Sequence, residues 1–253
     1  TAFRLEPEFL VVVLAAQVYS GDVVLSLPGR KLDAAGIDQL ARIPISELTA
    51  FKHVERPRDV PLAPLQELLG VLDLPPGLLV DPAQRDEAVT QLQGRVATVL
   101  ERTVIAQARL ADLVLWGRPV LAEAEMGEWR QRLTGLKAFL EGLQVFNTGG
   151  KLKNFPHDVE VIGRLRPALA NLAQAESLSG ILQSLAAPTA YLGRAEAVLG
   201  VDHPWAVTMR EARADLFALL ADPARRSDLA ATRQVSLSLE SLKAAYRQAY
   251  LAA

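Results

Sequence analysis

Apolar residues stand at Met126, Trp129, Leu133, Leu136, Leu140 and Leu143, with gaps alternating between three and four positions. That spacing draws one stripe along a helix and predicts a second helix laid against it. Val89, Leu92, Val96, Val99, Thr103, Ala106, Leu110 and Leu113 repeat it, with Thr103 the only polar member. Trp205, Met209, Ala212, Leu216 and Leu219 make a third stripe. Val235, Leu239, Leu242, Tyr246 and Ala249 make a fourth. Four such windows predict a mainly α protein built on an antiparallel bundle of long helices with coiled-coil-like seams.

Residues 1–77 have a different texture, and we expect them to form a separate unit. Glu6-Pro7 opens a helix that runs to Tyr19, and Ser20-Gly21-Asp22 breaks it. Residues 23–27 read as a strand, Pro28-Gly29 as a turn and Arg30-Lys31-Leu32 as the return strand. Short helices are expected at 34–41 and 46–53, which gives a winged-helix-like content. A linker follows at Pro57, Pro61 and Pro64, with a short helix at 65–72 and an end at Pro75-Pro76-Gly77.

The second expected domain, 78–253, is the bundle. Asp81-Pro82 is a helix start, with Asp as cap and Pro in the first turn, and the helix is expected to reach Trp116. Further helices are expected at 123–146, 157–164, 167–185, 190–199 and 204–220, with Pro188 as a break and 147–151 as a turn. A last helix is expected from Thr232 onward, after a second Asp-Pro start at Asp222-Pro223. No fixed period recurs, which disfavours a solenoid.

Composition changes this picture little. The 253 residues are 50% apolar and 22% charged, enough for a sizeable core. A net charge of −2 supplies no global basic field for nucleic acid or an anionic membrane. The absence of cysteine removes disulfides, thiolate metal sites and a cysteine nucleophile together, and fits a reducing compartment. The apolar run at 9–16 is too short to span a bilayer, so a cytoplasmic location is expected. The start at Thr1 and the stop in a running helical pattern read as the limits of a piece of something longer.

Candidate chemistry is sparse. Gly149-Gly150-Lys151 resembles a phosphate loop only superficially: Val145 stands where the first Gly belongs, and Leu152 follows the Lys. His53, His157 and His203 lie far apart, and none has a His, Asp or Glu at the i+4 spacing of a zinc-binding helix. No nucleophile elbow is present. Glu123 and Glu125 suit a helix start, and Arg225-Arg226 and Arg210-Glu211 read as solvated faces. No catalytic residue, metal or cofactor is therefore expected. One basic cluster carries weight as a DNA contact: Lys52, His53, Arg56 and Arg58, with Arg30 and Lys31 at the hairpin tip. The competing reading pairs these charges with Glu47, Glu55 and Asp59.

Several phrases together resemble a known family. They are Val18-Tyr19-Ser20-Gly21-Asp22-Val23-Val24-Leu25, Phe51-Lys52-His53-Val54-Glu55-Arg56-Pro57 and Leu74-Pro75-Pro76-Gly77-Leu78. Lys151-Leu152-Lys153-Asn154-Phe155, Ala195-Glu196-Ala197-Val198-Leu199 before Asp202-His203-Pro204-Trp205, and Ala244-Ala245-Tyr246-Arg247-Gln248-Ala249-Tyr250-Leu251 complete the set. The chain resembles an internal region of the very large P-loop ATPases of BREX-type phage defence (PglY/BrxC-like). In that family the nucleotide loop lies upstream, and no Walker motif occurs here. The resemblance implies a non-catalytic module after the ATPase core. Its expected partners are the rest of the parent ATPase and other defence-system proteins, with DNA as the alternative.

Overall fold

The computed structural model describes residues 7–20, 22–32, 42–55, 60–79 and 85–252; the side chains of Pro7, Glu8, Ser20 and Leu229 are not described. The fold is mainly α, as the stripes predict. The chain divides into two compact units, Thr1–Glu101 with Lys137–Arg166, and Arg102–Leu136 with Pro167–Ala253.

In the first unit, α1 (Pro7–Ser20) precedes a three-stranded antiparallel sheet of β1 (Val24–Leu27), β2 (Arg30–Leu32) and β3 (His53–Glu55), in the order β2-β1-β3. Leu25 pairs with Leu32 on one side and Val54 on the other. Leu25, Leu27 and Leu32 pack with Leu14 and Val18 of α1, Ile43 and Leu48 in a small separate core. Gly29 turns the hairpin at φ +81°, a conformation that favours glycine.

The helix expected at 46–53 is cut short. Only α2 (Ile45–Leu48) forms, and the chain then becomes β3. The Lys52 amide donates to Ser26 O at 2.7 Å, and pairing along β1 satisfies more main-chain groups than one further helical turn. The helix expected at 34–41 and the Asp81-Pro82 start lie outside the described residues.

The first unit continues with α3 (Leu62–Val71) and a 3-10 turn at Pro76–Leu79. Leu65, Leu68, Leu69 and Leu79 are fully buried. α4 (Arg85–Arg109) and α5 (Glu123–Leu143) run antiparallel. In this unit the Gln93 amide on α4 donates to Leu143 O and Phe146 O, both at 3.0 Å, capping the end of α5. Residues 147–151 are more than a turn. Thr148 caps α6 (Gly149–Leu152), its hydroxyl accepting the Lys151 N–H at 3.3 Å. α7 (Val159–Gly163) follows, capped by Asp158, and packs on α3.

In the second unit α4 ends at Arg109, short of the expected Trp116. Leu110 and Leu113 stay buried, but in a 3-10 turn (Leu110–Asp112) and the loop after it. A hairpin of β4 (Val114–Leu115) and β5 (Arg118–Pro119) follows, turning through Trp116 and Gly117 with φ +47° and +73°. Positive φ at both central residues matches the turn that a tight two-residue hairpin requires.

That turn places Trp116 against α8 (Leu165–Leu199), which runs through Pro188 without a break. Proline removes one N–H and crowds the carbonyl four residues back. Around the proline the Thr189 hydroxyl donates to Leu185 O at 2.6 Å, and Trp116 Nε1 donates to Thr189 O at 2.8 Å, tying this stretch of the helix to the hairpin. Leu185 and Leu192, on either side of the proline, are buried, so packing holds the helix through it. α9 (Pro204–Ala221), α10 (Pro223–Arg226) and α11 (Leu229–Ala252) complete the unit. α9 and α11 are antiparallel, with Trp205 Nε1 donating to Leu242 O at 2.9 Å.

Candidate functional site

The hairpin cluster is built on the central strand β1. Ser26 faces Lys31 on β2 and His53 on β3, so these three lie in one row across the sheet. Glu55, two residues beyond His53, shares their face. Its carboxylate collects Lys31 Nζ at 2.8 Å, His53 Nε2 at 2.8 Å and the Ser26 hydroxyl at 3.1 Å. These bonds, Lys31 first and then His53 and Ser26, hold the Glu55 pKa down at about 2. Arg30 meets Glu47 of α2 at 2.5 Å.

The six candidate contacts therefore divide. Arg30 and Lys31 are ion-paired on the surface, His53 is hydrogen-bonded to Glu55, and Lys52 lies exposed beside them. Arg56, Arg58 and the proposed partner Asp59 lie outside the described residues. The pairing with Glu47 and Glu55 weighed from the sequence is present.

The other histidines have structural surroundings. His157 packs against Phe139 and Phe155 with ring centroids 4.8 and 5.3 Å apart. His203 caps α9, its Nδ1 accepting the Trp205 N–H at 3.1 Å. Among the described residues no group of three His, Asp or Glu side chains gathers as a metal site.

One reading of the surface is corrected. Arg226, expected on a solvated face, is only 4% exposed. Its guanidinium bonds Glu125 Oε1 at 2.6 Å and Leu220 O at 3.3 Å, and lies 5.1 Å from the centroid of Trp129. Arg225 beside it is exposed. The Arg-Arg pair and the acidic start of α5 each looked ordinary in sequence. Only the one-turn spacing of Glu125 and Trp129 was available as a signal, because it puts a carboxylate and an aromatic face together.

α1 carries a feature that the sequence reading left unused. Val18 is fully buried and Leu14 nearly so, yet Phe9, Val12, Val13, Ala16 and Tyr19 are exposed, Phe9 at 62% and Val12 at 66%. Their spacing puts the five on one face of the helix, opposite the packed one. The signal was the unbroken apolar run at 9–16, which has no polar side.

Comparison with protein families assigns both parts of the chain. The model described as "Family of unknown function (DUF6079) 5th domain" matches residues 61–253, and that described as the DUF6079 4th domain matches residues 1–56. No curated protein and no solved structure matches.

Proposed function

The chain belongs to the DUF6079 fifth-domain family, with a match to the fourth domain before it, and from this premise we propose a non-catalytic interaction and coupling role. The parent in this reading is a large bacterial phage-defence ATPase, acting in the cytoplasm. Consecutive fourth and fifth domains suit an internal region of a longer protein, as does the resemblance to BREX-type ATPases. No helix among the described residues is long and apolar enough to cross a membrane.

The carrying observation is α1. A helix apolar all round belongs in an interior. Here one face covers the small sheet, and the other presents Phe9, Val12, Val13 and Tyr19 to solvent. A continuous apolar face of this kind marks a contact surface, and its place in this reading is against the rest of the parent ATPase. The long helices then carry that contact onward to other defence-system proteins.

DNA contact through the hairpin is the weaker reading. Phosphates would have to displace Glu47 from Arg30 and Glu55 from Lys31.

The test is a Phe9→Ser/Val12→Ser double substitution in the full-length parent. Both side chains are largely solvent-exposed, so the melting temperature of the isolated chain should stay near wild type. Phage protection and co-purification of the other defence proteins should fall sharply. A doubly substituted parent that protects cells and assembles as well as wild type would sink the proposal.

A further inference from the structure

Within the second unit, the seam between α9 and α11 opens at the start of α11. Leu239 and Leu242 are buried along it, while Val235, one turn earlier, is half-buried beside a groove of about 340 Å³. The floor is Leu185 of α8 with Leu216, Leu219 and Leu220 of α9, all buried, and Ile181 lines one side. Around it α8 and α11 offer Ser184, Thr232 and Ser236, side chains too short to fill the space. Their hydroxyls already donate to main-chain carbonyls of the preceding turn, Ile181 O at 2.7 Å, Asp228 O at 3.2 Å and Thr232 O at 3.3 Å. Arg233 is exposed and is the one charged side chain among the described lining residues, and no carboxylate among the described residues pairs with it.

We propose that this groove binds a small carboxylic acid with an aliphatic chain of medium length. Each helix lines it over a single turn, 181–185, 216–220 and 232–236, which is about 6 Å of helix axis. A partner helix takes its anchors over two turns or more, so a compact ligand fits this site better. The volume lies at the lower end of the roughly 300–1,000 Å³ of small-molecule sites. The aliphatic floor calls for an apolar body, and the hydroxyls around it, already bonded, call for no donor or acceptor. The remaining demand is an anion for Arg233, which a carboxylate meets in the two-pronged geometry that suits a guanidinium. An amine on the same chain would set a second cation beside Arg233. The exposed face of α1 belongs to the other unit, so this site stands independently of the role proposed for that face.

Calorimetry on the purified chain with sodium octanoate, sodium butanoate and octylammonium chloride tests this. Octanoate should bind, with butanoate weaker by about tenfold or more for the methylenes it lacks. Octylammonium, which keeps the chain and reverses the charge, should be weaker by about tenfold as well. Arg233→Gln, at an exposed position that the fold does not depend on, should weaken octanoate by about fivefold and narrow its lead over octylammonium. Ser184→Phe, which puts a ring into the groove, should remove octanoate binding. The ligand series on the wild-type chain keeps the test decisive if that variant folds poorly. The proposal is overturned if octanoate shows no binding at millimolar concentration. Butanoate or octylammonium binding as tightly as octanoate, or folded variants binding like wild type, overturns it equally.

Discussion

α5 and α11 carry the same kind of stripe and end in different circumstances. On α5 every member from Trp129 to Leu143 is buried, and only Met126 at the start is half-covered. On α11 only Leu239 and Leu242 are buried, while Val235, Tyr246 and Ala249 are half-buried. α5 has neighbours on two sides in the second unit, with Gln107 of α4 on Thr134 and Asn171 of α8 on Arg132. α11 leans chiefly on α9, with open grooves of about 340 and 260 Å³ along its seam. Periodicity tells which face of a helix turns inward. How much covers that face depends on how many neighbours arrive.

The largest effect that would break this contrast is at the α5 seam. Leu136→Ala should cost about 2–5 kcal/mol in chemical denaturation, because close-packed neighbours cannot fill the cavity. A variant with wild-type stability would show that the stripe is not a seam. Next comes Arg226→Ala, expected to cost about 2–3 kcal/mol by leaving Glu125 unpaired beside Trp129. A loss as small as that of an exposed arginine would show that the buried ion pair contributes nothing to holding α10.

On the loosely covered helix, Val235→Ala should cost less than about 1 kcal/mol, since its surroundings already admit solvent. A loss equal to that of Leu136→Ala would mean that α11 is packed as tightly as α5.

The smallest effect is electrostatic, on the hairpin. Glu55 has its pKa lowered from the ordinary 4.5 to about 2, so its contribution is present above 4.5 and lost as pH falls toward 2. Titrating the Glu55 carboxyl carbon by NMR should give a midpoint near 2, rising toward 4.5 in Lys31→Ala. An unchanged midpoint in that variant would remove Lys31 as the main cause.

The legibility of the chain followed the range of the forces involved. The eight positions of the α4 stripe are all buried, Thr103 included, although its last two lie beyond the helix itself. The β1–β2 hairpin was readable from Pro28-Gly29 and the β-branched residues before it. β3 was not, because its pairing with β1 joins residues about 30 apart and no local pattern marks it. The candidate site was legible in composition only. Lys31, His53 and Glu55 are visible as charges, but their sharing of one carboxylate follows from strand register.

What the sequence determined by itself was the α class and the inward face of the long helices. A 3.6-residue period acts within one helix and needs no knowledge of its neighbours. Only the tertiary structure decided that Pro188 sits within a continuous helix, that Arg226 is buried and that one apolar face of α1 stays open. Each depends on a distant group being present or absent: Trp116 beside Thr189, Glu125 beside Arg226, and a neighbour missing beside Phe9 and Val12 among the described residues. Contacts of that kind are set by how chain segments meet, and the local pattern of residues does not encode them.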